Sequence, residues 1–331
     1  MKKPSPRGTE ITRVESGAHP GTVRGTAISA GPGMMTTHTH TRAGFAGRLG
    51  ALAVVVAGLV AGSVATPAAA QDSEPLDYVA LGDSYTSGIG APNISISPLY
   101  VDPENPQPCY QASPGYVDVL DARDDVQLTA NAACAGWTAA MVPLQVQVAS
   151  AAGLLNAETD LVTITAGGND IKFLDVLQAC LFRPLKECKT VVKAAEAAAK
   201  AEVLPALTDA YAAIRAKAPS AKIVVLGYPH LFSPEFGDNA LIADEAAKVF
   251  NKGTDTLNKV IEEAAKKSPG TVYVDVTDEF ADHGFGSPDS WFTFNPANPL
   301  DGVSFHPTAT GYAEGYYPAV IREVEIPTLR D

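Results

Sequence analysis

Two hydrophobic rhythms alternate along this 331-residue chain from Asp72 onward. Short, nearly continuous apolar runs rich in β-branched residues occur at Tyr78–Gly82, Val126–Ala132, Leu161–Ala166, Lys222–Gly227 and Thr271–Val276. Their nearly continuous apolar character predicts strands covered on both sides. Between them, apolar residues recur at helical spacing over Met141–Ala151, Thr190–Lys217, Leu241–Lys267 and Thr308–Glu323. Strand and helix in alternation predict an α/β fold, a five-stranded parallel sheet with helices on both faces. No Pro-, Gly- or Ser-rich linker interrupts the series, so residues 71–331 read as one domain. The tract KAAEAAAKAE within it has the composition of a solvated helix.

The first 70 residues follow a different pattern. Arg42 and Arg48 precede an apolar run from Leu49 to Ala65, and small residues follow in an A-x-A arrangement at Ala68 to Ala70. Charged region, apolar region and small-residue site predict a secretory signal cut after Ala70. The run falls short of the roughly 20 apolar residues that span a membrane, so no span is expected after its removal. Residues 1–33 resemble neither signal nor core and read as an upstream extension, with Met34 or Met35 the more ordinary start.

Composition narrows the partners. At 46% hydrophobic and 18% charged the chain can build a core and is not disordered. After position 70 it holds 17 basic and 35 acidic residues, the wrong sign for neutralising nucleic-acid phosphates. All four cysteines, Cys109, Cys134, Cys180 and Cys188, follow the predicted cut, and an even count in an exported chain favours disulfides over metal ligands. Three pairings can be drawn. The C-x7-C spacing and the absence of C-x2-C favour the two sequence-local ones, Cys109–Cys134 and Cys180–Cys188.

In open parallel sheets ligands bind beyond the carboxyl ends of the strands, which directs attention to the residues that follow each strand. These are Gly82-Asp83-Ser84-Tyr85 after the first, Asn131-Ala132-Ala133-Cys134-Ala135-Gly136 after the second, and Gly167-Gly168-Asn169-Asp170 after the third. Ser304-Phe305-His306-Pro307-Thr308 precedes the last helix. A serine needs a base within hydrogen-bond reach, normally histidine, and only His230, His283 and His306 follow the predicted cut. Each block alone is a common turn or cap. Together, in this order and at these strand ends, they resemble the four blocks of the SGNH (GDSL) hydrolases, a likeness running from Tyr78 to Tyr317.

That resemblance implies a three-layer, flavodoxin-like α/β/α sandwich and ester hydrolysis. It implies Ser84 as nucleophile and His306 as general base. It also implies an oxyanion hole of the Ser84 N–H, the Gly136 N–H and the Asn169 side-chain amide. Many relatives orient the histidine with an acid three residues before it, but Val303 stands there. Asp301, five residues back, is the weaker candidate. The resemblance to secreted members with a Ser-His dyad instead implies the backbone carbonyl of Ser304 as the orienting group. Members of this branch carry local disulfides in matching places. Relatives with six cysteines have a third bridge, and its absence here predicts looser loops around Phe232 and Phe285.

No cofactor or metal is expected. Gly88-Ile89-Gly90 lacks the third glycine of a dinucleotide fingerprint, and neither G-x-S-x-G nor H-E-x-x-H occurs. Trp137, Phe173, Leu174, Phe232 and Trp291 are candidates for an acyl pocket or for core. The reading is a secreted monomeric esterase, with a lipid or small-molecule ester as substrate. The alternatives are a carbohydrate O-acetyl esterase or a non-catalytic envelope-binding protein of the same fold. With an unperturbed histidine as base, activity would rise through about pH 6.5.

Overall fold

Strands without a polar face demand cover on both sides, and the central strands have it: every residue of Leu161–Thr165 is buried. A computed structural model describes residues 74–100, 108–237 and 240–329. The predicted extension and secretory signal, residues 1–70, lie outside the described residues. Strand β1 (Leu76–Gly82) is followed by a small antiparallel hairpin, β2 (Asn93–Ile96) and β3 (Tyr110–Ser113). Then come β4 (Val126–Asn131), β5 (Leu161–Thr165), β6 (Lys222–Leu226) and β7 (Thr271–Val274). The main sheet is parallel throughout, in the order β4-β1-β5-β6-β7. Setting the hairpin aside, this is the flavodoxin-like 2-1-3-4-5 order, whose switch point lies between its first and third strands, here β1 and β5.

Among the described residues seven helices complete the layers: α1 (Tyr116–Asp121), α2 (Val142–Ala151), α3 (Phe173–Phe182), α4 (Leu185–Ala198), α5 (Leu204–Lys217), α6 (Asp244–Lys266) and α7 (Tyr317–Glu323). α1 packs with α7, while α2, α5 and α6 pack in series and α4 lies against α6. The periodicity over Thr190–Lys217 predicts one helix, whereas the chain forms α4, a π-type turn at Ala199–Val203, and α5. Pro205 explains the break. It has no N–H to donate and its ring crowds the carbonyl four residues back, so the preceding turn widens. The same device precedes Pro318, where Gly311–Tyr316 is a π-type turn.

The disulfides join Cys109 to Cys134 and Cys180 to Cys188, the second closing the α3–α4 corner. Around Phe232 and Phe285, backbone and side chains hold the loops without a covalent link. Phe285 N–H donates to Leu231 O and Ser233 N–H to Phe285 O, both at 2.8 Å. The two rings sit with Phe305 in one buried aromatic cluster.

Candidate active site

Ser84 stands just past the end of β1, beside the switch point. To leave the strand there, the chain turns at Gly82 with φ +123°, where a Cβ would fall 2.1 Å from the Thr165 carbonyl oxygen. Only glycine makes that turn. Asp83 N–H then donates to Thr165 O at 2.9 Å, locking the turn to β5. Gln145 of α2 grips the same glycine from the other side, its amide oxygen accepting from Gly82 N–H and its NH2 donating to Gly82 O, each at 2.7 Å.

Ser84 Oγ and His306 Nε2 are 2.7 Å apart although 222 residues separate them in the chain. His306 Nδ1–H donates to the carbonyl of Val303 at 3.1 Å. The Ser304 carbonyl, the orienting group expected from the resemblance, ranks behind Val303 as a backbone hydrogen-bond partner of the ring. Phe305 takes a left-handed φ of 67°, and within this tight loop the carbonyl one residue further back meets Nδ1. Asp301 does not reach the imidazole either. Its Oδ1 accepts the N–H groups of Val303 (2.9 Å) and Ser304 (2.8 Å), and its Oδ2 accepts from the Asn295 side chain at 3.0 Å. It therefore builds the loop that carries the histidine. Desolvation pushes the Asp301 carboxyl up, but these donors outweigh it and hold it down at about 2.

Burial against the cavity wall lowers the His306 pKa to about 4, opposed by the Val303 and Ser304 carbonyls and by the charge of Asp301. An imidazole so placed is already neutral, and able to accept a proton, well below the pH 6.5 of a free histidine. The activity rise expected near 6.5 therefore moves toward 4.

Ser84, Gly136 and Asn169, the three residues expected to donate to an oxyanion, all line one cavity. Among the described residues, neither the Ser84 N–H nor the Gly136 N–H has an acceptor. Gly136 adopts φ +80° in open space, with nothing within 4 Å of a Cβ position. Its glycine answers a left-handed backbone, not a close approach. Asn169 donates one amide hydrogen to Trp137 O at 2.8 Å, which orients the side chain and leaves the second hydrogen. The Gly136 loop is itself anchored by the Cys109–Cys134 bridge and by Cys134 N–H on Gly82 O at 3.0 Å.

Behind the site lie residues to which the motifs assigned no role. Asp83 is buried, accepting from Thr165 Oγ1 at 2.7 Å, from Tyr85 N–H at 3.0 Å and from the Tyr228 hydroxyl. Desolvation raises its pKa to about 6 against the pull of these hydrogen bonds. The Tyr228 hydroxyl also accepts Gly168 N–H at 3.1 Å, so it ties the Ser84 turn to the Asn169 loop. Tyr85 OH donates to Phe305 O at 3.0 Å and ties that turn to the His306 loop. Tyr228 lies two residues beyond β6, where the strand-end rule could have pointed to it.

A cavity of about 470 Å³ opens from Ser84 and His306 and runs between α3, α4 and α6, walled mainly by apolar side chains including Phe173, Val176, Val192 and Leu257. Of the five candidate aromatic and aliphatic residues, Phe173 and Leu174 line it, whereas Trp137, Phe232 and Trp291 do not. Trp137 packs on Tyr100, Phe232 on Phe250, and Trp291 stacks on His283. His230, paired with Asp255 at 2.6 Å, and His283 also lie outside the lining. Among the described residues no cluster of three or more His, Cys, Asp or Glu could hold a metal ion. The arrangement is that of a hydroxyl, a neutral base and N–H donors lining one apolar cavity, equipped for acyl transfer.

A family model described as the GDSL-like lipase/acylhydrolase family matches residues 80–314. Lipase 1 of Streptomyces coelicolor is 32% identical over 269 residues, covering 81% of this chain and 94% of that protein. The crystal structure of an extracellular lipase from Streptomyces rimosus superposes with a TM-score of 0.64 at 30% identity, over 75% of this chain and all of that one. That of phospholipase A1 from Streptomyces albidoflavus gives 0.63 at 32% identity, over 75% and 98%.

Proposed function

Because this chain belongs to the GDSL-like lipase/acylhydrolase family and is a carboxylic ester hydrolase, we propose that it cleaves lipid esters through Ser84 and His306. The observation that carries this reading is the 2.7 Å contact between Ser84 Oγ and His306 Nε2 at the mouth of the apolar cavity. His306 takes the serine proton as Oγ attacks the carbonyl carbon. The Ser84 and Gly136 N–H groups and the Asn169 amide receive the negative oxygen of the tetrahedral intermediate. As the intermediate collapses, His306 gives its proton to the departing alcohol and an acyl-serine remains. Water, deprotonated by the same imidazole, attacks that ester, and as the second tetrahedral intermediate collapses His306 returns the proton to Ser84 Oγ and the acid leaves. The Val303 carbonyl fixes the ring's tautomer and orientation, the role a carboxylate plays in a triad.

The apolar cavity supports an acyl chain over an acetyl group, as do the similar proteins named lipase and phospholipase A1. Export after cleavage behind Ala70 belongs to the same proposal. It is supported by four cysteines that all form disulfides and by the similarity to an extracellular lipase. Among the described residues no helix is long and apolar enough to cross a membrane. The test is hydrolysis of acetyl, butyryl and longer p-nitrophenyl esters by the wild type and by Ser84→Ala. Rates should favour the longer acyl groups and vanish in the variant. A strong preference for acetate sinks the lipid reading, and undiminished activity in Ser84→Ala sinks the nucleophile.

A further inference from the structure

The β2–β3 hairpin turns an apolar face outward. Ile96 pairs directly with Tyr110 and Ile94 with Ala112, and alternation along each strand puts all four on one face, where Ala112 is buried against Ile89 and Ala91 and the other three stand outward. Ile94, Ile96 and Tyr110 are 54%, 55% and 46% exposed. Single exposed apolar residues are ordinary on protein surfaces, but a contiguous group marks a contact site. Here Ile94 and Tyr110 also line the cavity that holds Ser84 and His306, and Leu174 of α3, 48% exposed, lines it as well. The outer face thus continues into the wall along which an acyl chain would pass.

The hairpin is firmly mounted. Ala112 N–H donates to Ser87 O at 2.8 Å, three residues past the serine, and Ala135 N–H donates to Tyr110 O at 3.2 Å, one residue before Gly136. The Cys109–Cys134 bridge adds a covalent link between the same segments. Whatever the hairpin rests on is therefore held in register with the nucleophile and the oxyanion donors. Its strands, Asn-Ile-Ser-Ile and Tyr-Gln-Ala-Ser, carry no charged residue, so seating them among lipid headgroups desolvates no charge.

We propose that this face is the lipid-docking surface of the enzyme, seating it on electrically neutral lipid aggregates so that an ester enters the cavity directly from the lipid phase. The inference rests on the lipid-ester reading above. Continuity with the acyl cavity selects lipid as the occupant. The lack of Lys or Arg on the strands, in a chain with 37 acidic and 24 basic residues, selects zwitterionic or uncharged lipid over anionic lipid.

Ile96 belongs to the face and not to the cavity lining, which makes it the position to change. Binding is measured in the Ser84→Ala background, where the lipid is not consumed, by sedimentation with phosphatidylcholine vesicles. Ile96→Asp should lower the partition coefficient about tenfold or more. Ile96→Trp should raise it, and the introduced indole's fluorescence should shift to the blue on vesicles. With the serine restored, Ile96→Asp should hydrolyse soluble p-nitrophenyl butyrate within about twofold of wild type while losing most of its activity on phosphatidylcholine vesicles. Equal partitioning of the Asp variant, an unmoved indole spectrum, binding to phosphatidylglycerol vesicles alone, or an unchanged ratio of vesicle to soluble activity would each overturn the proposal. A wild type inert toward soluble esters would overturn the ester reading instead, and vesicle partitioning would still decide the docking surface.

Discussion

Replacing Asp301 by asparagine separates a dyad held by a carbonyl from a triad held by a carboxylate. The carboxylate touches three donors, all in its own loop region, and none is on the imidazole. Asp301→Asn keeps an acceptor oxygen for the Val303 and Ser304 amides and loses the one facing the Asn295 side chain, which is open to water. Hydrogen bonds contribute about 1.5–3 kcal/mol to a charged acceptor and about 0.5–1.5 to a neutral one. Weakening two of them at a solvent-accessible site, where water screens the charge, costs about 1 kcal/mol. If all of it appeared in the transition state the rate would fall no more than about tenfold. Removing a true triad carboxylate costs about 10⁴. The measurement is kcat and KM on a short-chain p-nitrophenyl ester, with the urea midpoint followed to show that the loop still folds. At least roughly a tenth of wild-type kcat should remain. A loss of a thousandfold or more in a folded variant would refute the argument by placing the carboxylate on His306 in the working enzyme.

The acid limb of kcat/KM should lie near pH 4, because a base works only when deprotonated and burial lowers the His306 pKa to about 4. The rate should rise through that value and stay level with respect to His306 above it; a limb centred at 6.5 would show an unperturbed ring. Tyr228→Phe leaves Asp83 Oδ2 and Gly168 N–H without their shared hydroxyl, so about 1–3 kcal/mol of stability should be lost in denaturant unfolding, and kcat should fall with KM little changed. Mild reduction should abolish activity before it unfolds the chain, since the Cys109–Cys134 bridge ends two residues from Gly136. Simultaneous loss of activity and circular dichroism would count against that coupling.

The five central strands, the parallel α/β class and the strand-end blocks are legible in the chain alone because each depends on local physics. Burial on both faces writes the apolar runs of β1, β5 and β6, while the edge strands β4 and β7 are only partly buried; a strand-to-loop turn writes a glycine, and the resemblance to the SGNH hydrolases rests on short blocks kept in order. Shorter elements leave too little pattern: β2 and β3 have four residues each and α1 has six. The break in the 190–217 helix needed the steric effect of Pro205 on the preceding turn as well as the apolar period. Only the tertiary structure decides which carbonyl meets His306 Nδ1, that Asp301 serves its own loop, and that Tyr228 joins two distant segments. Those outcomes depend on where backbone atoms remote in sequence come to rest to within an ångström, and side-chain identity along a chain does not encode such distances. The burial that lowers the pKa of His306 likewise exists only once the cavity has closed around the ring.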